Sequence, residues 1–127
     1  MNPDVPMTAE LRLRLAEVVR NTPWLDRLVL HGSRARSEER PESDWDFAFG
    51  PSPDRLDLLR LLAELGGEVH GEVGLAGVEG AGAVLRFNIA REGVLVFERR
   101  PGALDDFREQ VSRFWCEAGE VIEAAQA

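Results

Sequence analysis

Residues 32–46 read GSRARSEERPESDWD. Gly32 and Ser33 follow a β-leaning run, Trp24 to His31 (WLDRLVLH), so they stand where a strand ends and a turn or short helix opens. Free backbone N–H groups converge at such a junction. Glycine lets the backbone approach an anion closely, and a helix start carries partial positive charge. Ser33 adds a hydroxyl donor, which makes a phosphate cradle that needs no lysine. Taken alone, the same pair is also an ordinary turn or N-cap. Asp44 and Asp46 open a second predicted strand, 44–49 (DWDFAF). Alternate strand residues share a face, so the two carboxylates project side by side, with Cα atoms roughly 6–7 Å apart. Like charges so placed repel unless a cation or an arginine offsets them. Trp45, Phe47, Ala48 and Phe49 around them are apolar. Hard oxygen ligands with room for water and phosphate suit Mg²⁺. The plainer alternative is a pair of solvated acids on an edge strand, matched by Arg34, Arg36 or Arg40.

Outward from this stretch the chain alternates strands and helices. It implies an α/β or α+β fold, a small mixed sheet flanked by helices. Thr8 is the expected N-cap of a first helix over about 8–21, with Leu11, Leu15, Val18 and Val19 on one side. Leu58, Leu62 and Leu65 repeat at helical spacing after Asp54, and Gly66-Gly67 reads as the stop of that helix. Residues 68–78 read as a strand broken by glycines. Residues 81–91 read as a helix with Val84, Phe87 and Arg91 near one face. The run VLVFE, 94–98, reads as the cleanest buried strand. Pro101 and Gly102 open a last helix over about 102–125, whose Leu104, Phe107, Val111, Phe114, Trp115 and Ala118 form a stripe at steps of three and four. That stripe reads as core, with a docking surface as the alternative if it outruns the sheet.

Composition narrows the chemistry. The 127 residues carry 15 basic and 23 acidic side chains, a formal net charge of −8. Every basic residue is arginine, which codon bias alone would explain. Without lysine, Walker-type phosphate binding and Schiff-base chemistry are excluded. An acidic chain is a poor generic partner for nucleic acid, so no direct nucleic-acid binding is expected. Cys116 is the single cysteine, which leaves no disulfide framework and no cysteine zinc site and suits a reducing compartment. No apolar run approaches membrane-span length, and the MNPDVPMTAE start is unlike a signal peptide. The expectation is one soluble, cytoplasmic domain over 1–127, its core about 8–115. His31 directly precedes Gly32 and could face the site, although a strand-end histidine is more often a hydrogen-bonding neighbour; His70 has no companion at ligand spacing, and neither receives a role.

Gly32-Ser33, ten intervening residues and Asp44-x-Asp46 together resemble the signature of nucleotidyltransferases similar to DNA polymerase β. The form GSRAR…SDWDFA looks like the minimal nucleotidyltransferases of that superfamily, and the run 85–98 (LRFNIAREGVLVFE) is similar to the helix and strand that close such domains. The resemblance covers about 8–115 and implies a polymerase β palm-like fold. It implies that Asp44 and Asp46 hold Mg²⁺ against the phosphates of ATP or another nucleoside triphosphate. Gly32 and Ser33 would grip the triphosphate, with Arg34 and Arg36 in support. These proteins usually carry a third carboxylate on a following strand, where this chain has Gly74 in Val73-Gly74-Leu75-Ala76. Glu72, two residues earlier, is the candidate substitute ligand. The resemblance further implies an antitoxin paired with a HEPN-type toxin, transferring AMP to a toxin tyrosine. This chain has no tyrosine of its own. Two alternatives stay open: a binding module that has lost catalysis with the third acid, and a small-molecule nucleotidyltransferase of the aminoglycoside type, whose pocket would need a homo-oligomer.

Overall fold

The computed structural model describes residues 7–126, with side chains as far as Ala118. Four helices and four strands follow one another as α1 (Ala9–Arg20), β1 (Arg27–His31), β2 (Trp45–Gly50), α2 (Arg55–Val69), β3 (Val73–Gly77), α3 (Ala83–Glu92), β4 (Val94–Glu98) and α4 (Ala103–Gln126). The sheet order is β3-β2-β1-β4. β1 runs antiparallel to β2 and to β4, while β2 and β3 are parallel, as the intervening α2 crossover requires. The mixed sheet flanked by helices is thus the architecture expected from the sequence.

Helix starts follow local chemistry. Thr8 Oγ1 accepts the Leu11 N–H at 3.1 Å, and Asp54 Oδ1 accepts that of Asp57 at 2.8 Å, each satisfying a donor that the first turn leaves free. Strand alternation then divides the core. Leu28, Leu30, Phe47 and Phe49 face α1 and α2, packing on Leu15, Val19, Leu61 and Leu65. Val29 and Ala48 face the other way, against Ile89 of α3 and Leu104, Phe107 and Val111 of α4. Asp46 precedes Ala48 by two, so its carboxylate emerges on the α3–α4 side of the sheet.

Several expectations needed correction. Gly66-Gly67 does not stop α2, which runs on through Val69 and closes at His70, a left-handed residue (φ 55°) whose N–H bonds Gly66 O at 3.0 Å. Burial of Leu65, with Val69 packed against the same core, outweighs the cost of two glycines, about 1 kcal/mol each relative to alanine. The helix buries Leu61 and Leu65 and leaves Leu62 exposed. In α3 the buried residues are Ile89 and Ala90, while Val84 and Phe87 lie outside. VLVFE is an edge strand whose apolar run reflects helices on both faces: Val94 and Phe97 pack on the first cluster and Leu95 on the second. The core reading of α4 holds through Val111 and fails at Phe114 and Trp115, which are 51% and 37% exposed.

An added Cβ at Gly67 meets nothing within 4 Å. Gly67→Ala is therefore expected to stabilise the protein by about 0.5–1 kcal/mol in urea unfolding. A helix stop at that position would give a loss instead.

Candidate active site

Gly32 ends β1 with φ +75°, a conformation that side chains rarely tolerate. Residues 33–37 then make a single helical turn: Ala35 and Arg36 donate to Gly32 O at 3.1 and 3.2 Å, and Glu38 donates to Ser33 O at 2.9 Å. As at any helix start, the opening N–H groups have no partner within the turn. No helix forms after Ser33: the segment is a single hydrogen-bonded turn, and Gly32 at its start lies against the Asp46 carboxylate.

Asp46 stands in the middle of a row across the sheet. β1 and β2 align His31 with Asp46, and β2 and β3 align Asp46 with Gly74. A Cβ at Gly32 would lie 2.5 Å from Asp46 Oδ2, and one at Gly74 would lie 2.9 Å from Oδ1. The carboxylate fills the space that two absent side chains leave. Asp44 departs from expectation. It precedes the strand, exposed, because β2 begins at Trp45, whose N–H bonds Glu72 O at 2.8 Å. The turn before it is tied by Ser43, whose N–H reaches Arg40 O at 3.0 Å and whose Oγ accepts the Arg40 N–H at 2.8 Å.

The two arginines expected at phosphate are occupied elsewhere. Arg34 donates to Ser43 O at 3.1 and 2.9 Å and to Pro41 O at 3.5 Å, and its guanidinium lies 4.2 Å over the Trp45 ring. It braces the 33–43 loop from the Trp45 side, opposite to Asp46. Arg36 pairs with Glu38 at 3.1 Å and with Glu92, at the end of α3, at 3.0 Å. Glu72, just before β3, also lines a cavity with Arg34, Trp45 and Val69. No group of three or more potential metal ligands forms among the described residues. The Asp46 carboxylate beside the Gly32 turn, with Asp44 two residues earlier in the chain, nonetheless fits Mg²⁺, which is commonly held by one or two carboxylates together with substrate phosphates and water.

His31 and Glu92 carried no assigned role in the sequence. Register alone puts His31 beside Asp46, and the contact of α3 with the Gly32 turn brings Glu92 near. Burial lowers the His31 pKa below the usual 6.5, against upward pulls from Asp46, the Phe47 backbone and Glu92. The place of His31 before Gly32 hinted at the first, while Glu92 depends on a helix–turn contact that spacing does not encode.

A family model described as polymerase beta, nucleotidyltransferase matches residues 14–101. The chain belongs to the polymerase beta nucleotidyltransferase family. Protein adenylyltransferase MntA of Aphanizomenon flos-aquae (strain 2012/KM1/D3) is 25% identical over 123 residues, covering 87% of this chain and 82% of that protein. The nucleotidyltransferase fold is similar to one chain of a toxin–antitoxin complex solved with AMP-PNP, with TM-score 0.70 and 20% identity over 91% of this chain and 98% of that one. It is also similar to a chain in the complex of tri-AMPylated Shewanella oneidensis HEPN toxin with MNT antitoxin, with TM-score 0.67 and 18% identity over 95% of this chain and all of that one, 100%.

Two outcomes follow for this nucleotidyltransferase. Gly32→Ala pushes the Asp46 carboxylate aside and adds strain at φ +75°. It is expected to weaken Mg-ATP binding at least about tenfold by calorimetry, for a folding cost on the order of 1–2 kcal/mol. The lowered His31 pKa means the folded state prefers neutral imidazole. That contribution is present at neutral pH and is lost as pH falls through about 6.5 toward the folded value. Metal-free wild type should therefore lose more unfolding free energy between pH 7.5 and 5.5 than His31→Gln does.

Proposed function

We propose that this chain is the antitoxin of a HEPN toxin pair and transfers AMP from ATP to a tyrosine hydroxyl of the toxin. The observation that carries the reading is the Asp46 carboxylate set between Gly32 and Gly74, beside the helical turn that Ser33 opens. The MntA relative, which is a protein adenylyltransferase, and the AMP-PNP and AMPylated-toxin complexes of similar fold support it. The lone cysteine accords with a cytoplasmic setting, and no helix among the described residues is long and apolar enough to cross a membrane.

In this reading the Ser33 hydroxyl and the turn's opening N–H groups hold the terminal phosphates, where a helix start favours anions. Asp44 and Asp46 hold Mg²⁺, which when bound offsets the charge of the triphosphate and of the transition state. The toxin's tyrosine oxygen bonds to the α-phosphorus as the α–β bridging P–O bond breaks. Pyrophosphate leaves and the hydroxyl proton passes to water. Gly74 supplies no carboxylate to receive that proton, so the chain contributes positioning and electrostatics more than base catalysis. The same glycine favours a second reading, in which the domain binds nucleotide and toxin and neutralises by contact alone.

Incubation with Mg²⁺, α-labelled ATP and the HEPN-type protein encoded beside this chain's gene separates the readings. Label should appear on the toxin and fall at least about 100-fold in Asp44→Asn and Asp46→Asn. Neutralisation without label, retained in both variants, would establish the binding module instead. Gly74→Asp sets a carboxylate against Asp46, whose side chain has to turn to admit it, and is expected to raise transfer about tenfold.

A further inference from the structure

The α3–α4 surface lies on the same side of the sheet as Asp46 and carries an uncovered aromatic cluster. Phe87 and Trp115 meet edge to face at 5.3 Å, and Phe114 stands against Trp115 at 5.9 Å. A groove runs between the helices, floored by Phe87, Ala90, Val111 and Trp115, with Arg91 and Arg108 at its lip. Arg108 holds this lip in place, donating to Ala90 O at 2.9 Å and Gly93 O at 2.8 Å. Arg91 is exposed and makes no ion pair among the described residues. The next residue, Glu92, pairs with Arg36 of the turn after Gly32. The groove therefore leads to the edge of the carboxylate site.

Resting on the adenylyl-transfer reading, we propose that this groove docks the acceptor toxin, receiving a helix with an apolar ridge flanked by carboxylates. Large aromatic side chains beside arginines are the residue types that carry binding energy at protein interfaces. A groove between two helices accepts the ridge of a third. The charge of the lip decides the occupant. On a chain of net charge −8, Arg91, unpaired among the described residues, gives the lip a cationic edge that attracts an acidic helix, while Arg108 beside it lies 3.8 Å from Asp105. A second copy docking two-fold on this groove would bring the same arginines together. The position decides the purpose: a toxin helix along the groove delivers its hydroxyl toward Asp44 and Asp46 instead of leaving it to diffusion.

The test uses the full chain with the HEPN-type protein encoded beside its gene, in calorimetry and steady-state transfer. Trp115→Glu and Arg91→Glu are expected to raise both the toxin Kd and the toxin KM at least about tenfold. The KM for ATP and kcat at saturating toxin should stay within about twofold. Arg91→Lys, which keeps the charge, should recover most of the loss. Unchanged toxin binding in both glutamate variants would overturn the proposal. So would a wild-type dimer, seen by light scattering, that Trp115→Glu dissolves. If the wild type binds toxin but transfers no label, the transfer reading fails while docking is still decided by the same binding data. If the wild type does not bind the toxin at all, both fail.

Discussion

The Asp46 carboxylate occupies a slot with glycine on either side, and much of the molecule is arranged around that close packing. Oδ2 leans over Gly32 and Oδ1 over Gly74, so neither position can carry a side chain unless the carboxylate moves. Gly32 needs its positive φ to turn the chain out of β1 and, in the same residue, leaves room for the acid. Gly74 has the opposite significance. Its place beside Asp46 in the parallel β2–β3 pairing is where a third carboxylate would stand across from the second. Two like charges at that spacing would need a metal or a cation between them. With glycine there, Asp46 is relieved of that repulsion, and the chain gives up a group that could take a proton.

What keeps the slot in register is the two-faced packing of a small sheet. Phe47 and Phe49 are pulled into one cluster and Ala48 into the other, which fixes the side on which Asp46 emerges. A slip of one residue would exchange the faces and bury the carboxylate against α1 and α2. The edge strand β4 is covered from both sides, so its apolar run does not mark a central place in the sheet.

Arginine is the second organising element. Arg34 closes the 33–43 loop through Ser43 O, Arg99 ties Leu25 O and Thr22 O, and Arg108 joins α4 to the carbonyls at the end of α3. A planar guanidinium with several fixed donors bridges two carbonyls at once, which an ammonium does less well. A chain without lysine thus uses arginine to clip its loops and helix ends. This explains why Arg34, adjacent to the Gly32 turn in sequence, faces away from Asp46. Its guanidinium bridges carbonyls at the far end of the loop and stacks on Trp45, an interaction that no spacing rule encodes.

The sequence by itself determined the elements and the pieces of the site. The cap at Thr8, apolar periodicity, and Gly32-Ser33 followed by Asp44-x-Asp46 are all local, and local chemistry is written in neighbouring residues. Element ends were less legible: the Gly66-Gly67 pair had the composition of a stop, yet burial of Leu65 and the packing of Val69 carried the helix through it. Exposure of Phe114 and Trp115 depended on how far the sheet extends under α4, a length set by other strands. Only the tertiary structure decided that His31, Asp46 and Gly74 share a row and that Glu92 reaches Arg36. Each of these rests on strand register or on the contact of two elements distant in the chain. Such relations are fixed by which side chains can be buried together, and sequence order does not carry them.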